Sequence, residues 1–213
     1  MKVAVAGATG RVGRHIVDIL EARGHHAIRI SRSEGVDIIS GEGLDAALAG
    51  VEAVIDAATG PSPDKDESIA FFTTAARNLH EAGERAGVQR LVTVSIIGID
   101  DFVGGYSAGK LAHEQAALAG PIPTRVVRAA QFHEFVGQLV EWGTQGAVAY
   151  VPKFRTQLVA ARSVARRSST SPRRPTSRRI KRPRTVRSSR SPDRARRASW
   201  RWPNCSSPTA TTA

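Results

Sequence analysis

The chain has 213 residues, 41% of them hydrophobic, with one cysteine and a formal net charge of +12. That length suits one domain with a sizeable core, the lone Cys205 excludes an internal disulfide framework, and no apolar run is long enough to span a membrane. The charge is confined: residues 166–213 hold 15 Lys and Arg against Asp193 alone, a net +14, while residues 1–165 hold 16 basic and 18 acidic side chains.

Residues 2–6 form a short Val- and Ala-rich run that stops at Gly7, as a buried parallel strand does. Glycines then recur at Gly7, Gly10 and Gly13, and Val12, Ile16, Ile19 and Leu20 fall on one helical face directly after them. A strand, a glycine turn and a helix N-terminus in that order make a site for a dinucleotide pyrophosphate. The glycines let backbone approach phosphate, and the helix end presents unpaired N–H groups to negative charge. Without a ligand the same residues are an ordinary strand-turn-helix connection.

Gly24 closes the first helix, and residues 26–30 read as a second strand followed by Ser31-Arg32-Ser33. At this point of a dinucleotide fold an acidic side chain receives the ribose hydroxyls, whereas a basic one accommodates a 2′-phosphate. Arg32, with Arg11 in the glycine turn, therefore points to NADP(H) over NAD(H), unless both are plain surface arginines.

Residues 36–39, with Asp37 among them, read as a brief third strand, 43–48 as a short helix, and 51–57 as a fourth strand ending in Ala57-Ala58-Thr59-Gly60. A loop at 60–64 leads into a long amphipathic helix over 67–86, with Ile69, Phe72, Ala76, Leu79 and Gly83 on one face. Residues 89–95 form a fifth strand. This alternation predicts an α/β fold with a doubly wound parallel sheet, the Rossmann arrangement.

Ser95 ends the fifth strand, where such a sheet places its ligand crevice. Tyr106 and Lys110 then open a helix four residues apart on one face. A neighbouring ammonium favours a phenolate and is expected to lower the tyrosine pKa toward a value usable in proton transfer. Otherwise Tyr106 simply packs. Residues 111–118 complete that helix, 124–128 form a sixth strand, and 129–135 enter a helix holding Val136, Leu139, Val140 and Trp142. Residues 148–151 and 156–160 read as short strands, with Ser163 capping a further helix. Six scattered histidines show no metal-ligand spacing, and no metal is expected.

The Gly-x-x-Gly-x-x-Gly spacing in GATGRVG, and Ser95 followed by Tyr106-x-x-x-Lys110, resemble the short-chain dehydrogenase/reductase superfamily. The likeness is to its atypical and extended branches, including NmrA-like and nucleotide-sugar-epimerase-like proteins, and it covers residues 1 to about 165. It implies that Gly7, Thr9, Gly10, Arg11, Val12, Gly13 and Arg32 hold the cofactor, that Asp37 faces the adenine, and that Ala57, Ala58, Thr59 and Gly60 line it. Asp37 is otherwise a solvated turn residue. Ser95 would orient a substrate oxygen, Tyr106 would act as acid/base, and Lys110 would assist it or hold the nicotinamide ribose. Gln131, Phe132 and His133 would border the substrate, the alternative being core for Phe132 and surface for His133. The implied activity is an NADP(H)-dependent oxidoreductase acting on a small carbonyl or alcohol, with NAD(H) the lesser cofactor. A non-catalytic NADP(H)-binding sensor is the alternative. The expected setting is the cytoplasm, with a small-molecule substrate, no membrane, and a homo-oligomer compatible with the sequence.

From Arg166 apolar residues nearly vanish and Arg, Ser and Pro dominate. Such a segment cannot offset its ordering entropy by burial and is expected to be disordered. The domain boundary is therefore set at 165/166. A genuine tail could bind nucleic acid non-specifically by counterion release, or anchor an acidic partner. The favoured reading is an out-of-frame translation product that replaces a remnant of the substrate-binding region. In the frame one nucleotide earlier, residues 166–172 are compatible with Glu-Ala-Leu-Val-Asp-Leu-Ala, which continues an amphipathic helix from Ser163-Val164-Ala165.

Overall fold

Strands and helices alternate from the first residues: β1 (Lys2–Ala6), α1 (Gly13–Ala22), β2 (His26–Ile30), α2 (Leu44–Leu48), β3 (Ala53–Asp56), α3 (Lys65–Arg85), β4 (Arg90–Ile96), α4 (Gly105–Ala119) and β5 (Thr124–Ala129). After these come α5 (His133–Gly143), β6 (Thr144–Gln145), β7 (Val148–Ala149) and α6 (Ala161–Ser168). The computed structural model describes residues 1–60, 62–100, 104–150 and 157–169, all within the unit Met1–Pro172.

The central sheet is parallel, in the order β2-β1-β3-β4-β5. The inner strands β1, β3 and β4 are buried on both faces, which is why they read as largely apolar runs, whereas the edge strands β2 and β5 keep exposed positions. Val3 and Val5 of β1 face one core with Ile16, Leu20, Val92, Val94 and Val127, covered by α1 and α6. Ala4 and Ala6 face the other with Ile30, Val54, Ala75, Leu79 and Leu91, under α2 and α3. Chain order reverses on either side of β1, so the switch point lies between β1 and β3, and an open α/β sheet binds its ligand beyond the strand ends there.

Three sequence expectations need correction. Residues 36–39 are not a strand, so the main sheet has five strands where six were expected. Val36 and Ile38 are buried, which produced the strand-like pattern, but the backbone closes on itself. The Asp37 carboxylate accepts from Ile39 N at 2.7 Å, Asp37 O accepts from Gly41 N at 2.9 Å, and Gly35 and Gly41 take the positive φ that these turns require. Asn78 of α3 then donates to Ile38 O and Ile39 O, both at 2.8 Å, and ties the loop to the helix. Ser163 does not cap α6: Ala160 holds that position and Ser163 lies exposed inside the first turn. In place of a strand over 156–160 there is a single bridge, Val159 to Phe132, and the strand expected at 148–151 is only Val148–Ala149, paired with β6. Val151 and Thr156 lie outside the described residues, as do residues 170–213 of the tail. Helix α6 runs past the compositional break at Arg166, ending at Ser168.

Candidate cofactor and active site

The glycine turn joins β1 to α1 at the C-terminal edge of the sheet. Gly7, at φ 73°, and Ala8 both donate to Ile30 O, at 2.9 and 3.3 Å, and this fastens the turn to the end of β2. The same bonds bring Ser31 and the exposed Arg32 alongside exposed Thr9, Gly10 and Arg11. A Cβ on Gly13 would overlap the Gly7 carbonyl oxygen, and one on Gly7 would lie 2.8 Å from both Ala57 O and Ala58 Cα. The glycines therefore let the turn, the start of α1 and the segment after β3 pack backbone to backbone. Helix α1 begins at buried Val12 with no side-chain cap and no acid in its first turn, which leaves its positive end to an external anion.

A groove of about 350 Å³ is lined by Ile39, Gly60, Ser62, Glu67, Ser68, Ala70, Phe71 and Thr74. It lies between the loop that follows Asp37 and Gly60 at the end of the segment after β3. Asp37 Oδ1 is engaged in the turn described above.

At the other end, the face of the sheet under α3 and α4 carries a buried polar cluster. Asp56 ends β3, and its register partner is Thr93 of β4, two residues before Ser95 on the same face. Helix α4 meets them with Lys110 and His113. It lies close on α3 because Gly109 has no Cβ, which would sit 2.5 Å from Ser68 Cβ. Asp56, Lys110 and His113 are 1%, 4% and 0% exposed, so each charge needs a partner. Lys110 Nζ donates to Val94 O at 2.8 Å and to His113 Nδ1 at 2.9 Å. His113 Nε2 meets Asp56 Oδ2 at 2.7 Å, and Ala58 N donates to Asp56 Oδ1 at 3.0 Å.

Phe72 of α3 organises the cluster from its other side. Its ring stacks on His113 at 4.8 Å, meets Tyr106 edge-on at 5.5 Å, and lies 4.4 Å from Lys110 Nζ, a cation–π contact. Burial of Asp56 raises its pKa, but the interaction with His113, the Lys110 ammonium and the Ala58 N–H together hold it below the usual carboxylate range. Burial also lowers Lys110 to about 8, against the pull of Asp56 and Glu114.

Tyr106 and Lys110 do share a face of α4, yet the expected lowering of the phenol is not observed. Burial pushes Tyr106 up to about 12, the Asp56 charge adds to the rise, and a hydrogen bond with Thr59 only partly opposes it. The Lys110 ammonium is directed to Val94 O and His113 instead. Ser95 is 2% exposed at the end of β4, and its Oγ has no hydrogen-bond partner, as is also true of Thr93 Oγ1. Unpartnered buried hydroxyls at a sheet edge are the residues a bound polar ligand would satisfy. The uncapped start of α1 thus fits a phosphate, and the unsatisfied Ser95 hydroxyl fits a polar group of a ligand.

Beyond the strand ends, Gln131 O accepts from Val159 N at 2.9 Å, and Phe132 packs against the core under α1. The His133 side chain is exposed. This matches the plainer reading of Phe132 and His133 made from sequence. Sequence reasoning missed Asp56, His113 and Arg128. The first two had a legible signal: an acid inside an otherwise apolar strand, AVID, and a histidine three residues after Lys110 on the same helical face.

Arg128 of β5 gave no such signal. Its guanidinium binds Asp100 of the β4–α4 loop at 2.6 and 2.8 Å and Glu114 of α4 at 2.8 and 2.7 Å. One planar fork therefore holds the loop leading to Tyr106 against the helix that carries it. Arg128→Ala should lower stability by about 1–3 kcal/mol, since two charge-assisted pairs are lost and Glu114 stays buried. Arg128→Lys should recover less than half of that in urea denaturation, because an ammonium cannot serve both carboxylates in parallel.

Residues 7–120, more than half of the chain, match the NAD(P)H-binding family. The chain belongs to that family. Its fold agrees with that of solved structures holding nicotinamide cofactors. MoeE5 in complex with UDP-glucuronic acid and NAD superposes with a TM-score of 0.66 at 20% identity, over 82% of this chain and 74% of that one. Triphenylmethane reductase of Citrobacter sp., complexed with NADP(H), superposes with a TM-score of 0.56 at 21% identity, over 79% and 64%.

Among curated proteins, (4-alkanoyl-5-oxo-2,5-dihydrofuran-3-yl)methyl phosphate reductase of Streptomyces griseus subsp. griseus is 30% identical over 147 residues, 61% of this chain and 48% of that protein. A 3-beta-hydroxysteroid dehydrogenase of Mycolicibacterium neoaurum is 30% identical over 129 residues, 49% and 35%. This NAD(P)H-binding chain thus aligns with about half, or less, of the length of these relatives. The family match and the cofactors held by the two superposed structures support a nicotinamide cofactor, and the two curated relatives are by name a reductase and a dehydrogenase. Among the described residues, no helix is long and apolar enough to cross a membrane.

Proposed function

We propose that the protein is an NADP(H)-dependent oxidoreductase acting on a small carbonyl or alcohol. The observation that carries this reading is the pairing, at one sheet edge, of an uncapped glycine turn with a buried, unpartnered Ser95 hydroxyl on the strand next to Asp56. The turn at Gly7, Gly10 and Gly13 would hold the pyrophosphate with the N-terminus of α1. Arg11 and Arg32, brought to one side by the bonds to Ile30 O, would receive the 2′-phosphate. The groove at Ile39 and Gly60 would take the adenine, with Ala57, Ala58 and Thr59 along the cofactor.

The nicotinamide supplies or accepts the hydride. Ser95 Oγ would donate to the substrate oxygen, and Tyr106 would deliver the proton that turns the reduced oxygen into a hydroxyl. A phenol raised to about 12 remains protonated at neutral pH, which suits the donor role in reduction. The curated relatives, a reductase of a dihydrofuranyl methyl phosphate and a hydroxysteroid dehydrogenase, support redox chemistry on this fold. The substrate would be a small molecule in solution, and the setting the cytoplasm.

Fluorescence titration of the full chain should give NADPH a dissociation constant at least tenfold below that of NADH. Arg32→Asp should erase or invert that preference, because a carboxylate repels the 2′-phosphate and accepts from ribose hydroxyls. A wild-type preference for NADH would refute the roles of Arg11 and Arg32. Tyr106→Phe should lower NADPH-dependent turnover of a panel of small aldehydes and ketones by about 100-fold or more while leaving NADPH affinity within threefold. Unchanged turnover would remove Tyr106 from the chemistry.

A further inference from the structure

The buried Asp56–His113–Lys110 chain has a direction set by chemistry. An ammonium only donates, so His113 Nδ1 must accept from Lys110 Nζ. A carboxylate only accepts, so His113 Nε2 must carry the proton shared with Asp56 Oδ2. Ala58 N–H occupies the other carboxylate oxygen, so Asp56 cannot turn away, and Phe72 stacks on the imidazole and stops the ring from rotating out.

We propose that His113 is a positioning residue for Lys110. Asp56 holds the imidazole as the Nε2–H tautomer, and in that form it accepts a hydrogen bond that fixes the lysine ammonium against the end of β4. This deepens the functional reading above and rests on it, taking Lys110, which the resemblance assigns to the nicotinamide ribose, as the cation beside Tyr106 on α4. Through this chain Asp56 decides both where the ammonium sits and that it remains charged in a dry site.

The test is Asp56→Asn, studied in the full chain. Ala58 N–H requires an acceptor, so the Asn oxygen stays with it and the amide NH₂ faces His113 Nε2. The ring must then accept at Nε2 and carry its proton on Nδ1, which no longer accepts from an ammonium. A carboxylate-to-amide exchange that leaves geometry in place but selects the wrong histidine tautomer is an established way to disable a buried histidine. Nitrogen-15 NMR of the wild-type imidazole should show Nε2 protonated and Nδ1 bare at neutral pH, and Asp56→Asn should reverse the two.

The NADPH dissociation constant should rise at least tenfold in the variant. A wild-type ring protonated on Nδ1 alone would overturn the network as drawn, without use of any variant. A reversed tautomer with unchanged NADPH affinity would overturn the positioning role and leave only a structural one. If the wild-type chain bound neither NADPH nor NADH, the functional reading would fall and the positioning role with it, while the tautomer spectrum would still report the network.

A second inference stands on α6 alone. Its core-facing stripe is Ala161, Val164, Ala165 and Ser168, and Ser169 at the C-cap is also buried. The two serine hydroxyls bond back to Val164 O at 3.1 Å and Ala165 O at 2.8 Å, four residues earlier in each case. Buried positions of α6 are thus filled by serine from the point where composition changes. A serine codon of the TCN type, read one nucleotide earlier, becomes NTC, which encodes only Phe, Leu, Ile or Val. We infer that the reading frame changes at or just before Arg166, so that residues 168 and 169 stand where the unshifted frame has two apolar side chains. The coding DNA should carry TCN at both positions, with the shifted frame open to the end of the present chain. An AGC or AGT codon at either serine, or a stop codon in the shifted frame, would overturn the inference.

Discussion

Gly13→Ala should abolish measurable cofactor binding, raising the NADPH dissociation constant by about 100-fold or more, and should lower stability by about 1–3 kcal/mol. The added methyl would occupy the position of the Gly7 carbonyl oxygen and stand 2.7 Å from its carbon and 3.0 Å from Ala8 Cα. These are backbone atoms with no rotamer to escape through. Helix α1 cannot retreat either, because Ile16, Val17, Ile19 and Leu20 are buried in the core behind it. The strain must open the turn, and the N–H groups that would face phosphate move with it. Gly137→Ala is the control: it sits in α5 with nothing within 4 Å of an added Cβ, and it should be neutral or slightly stabilising. Equal effects at the two glycines in a titration and thermal melt would refute the close-packing account.

Asp56→Ala should be the most damaging single change in the polar cluster, at about 3–5 kcal/mol, the cost of leaving a buried cation without its counter-charge. The Ala58 N–H and His113 Nε2 would lose their acceptor in the same step. Asp56→Asn should cost less, because it keeps an acceptor for Ala58. Acid should reproduce part of the loss in the wild type. The folded-state carboxyl lies below its unfolded value of about 3.9, so its contribution is full above that pH and is lost as pH falls through the folded value. Chemical denaturation of wild type and Asp56→Ala at neutral pH and near pH 3 would show the gap closing at the lower pH. A constant gap would mean that charge compensation is not what Asp56 contributes.

The glycine turn was legible because its requirement is local: Gly7 and Gly13 leave no room for a Cβ, Gly10 lies close to the Gly7 carbonyl, and a 3.6-residue apolar period follows at once. The parallel sheet was legible for a similar reason, since strands covered on both faces show as continuous apolar runs. Residues 36–39 misled because burial and strand geometry are separate properties. Val36 and Ile38 face the core from a turn stapled by Asp37 and Asn78, and a one-dimensional pattern records only the burial. The Tyr106 and Lys110 pair was found by spacing, but its electrostatics was not. Spacing puts the two on one face of α4, whereas the direction of the ammonium depends on Val94 O, His113 and Asp56, the last of them 54 residues earlier.

By itself the sequence determined the class of fold, the glycine turn and the identity of the chemically able side chains, because each follows from residue type and short-range period. Only the tertiary structure decided which of those side chains are coupled. Asp56, His113, Phe72 and Lys110 come from three separate elements that meet where β3 ends beneath α3 and α4. Their charge states follow from being buried together, because a buried charge answers to whichever partner is within hydrogen-bond reach, and that distance exists only in the folded chain.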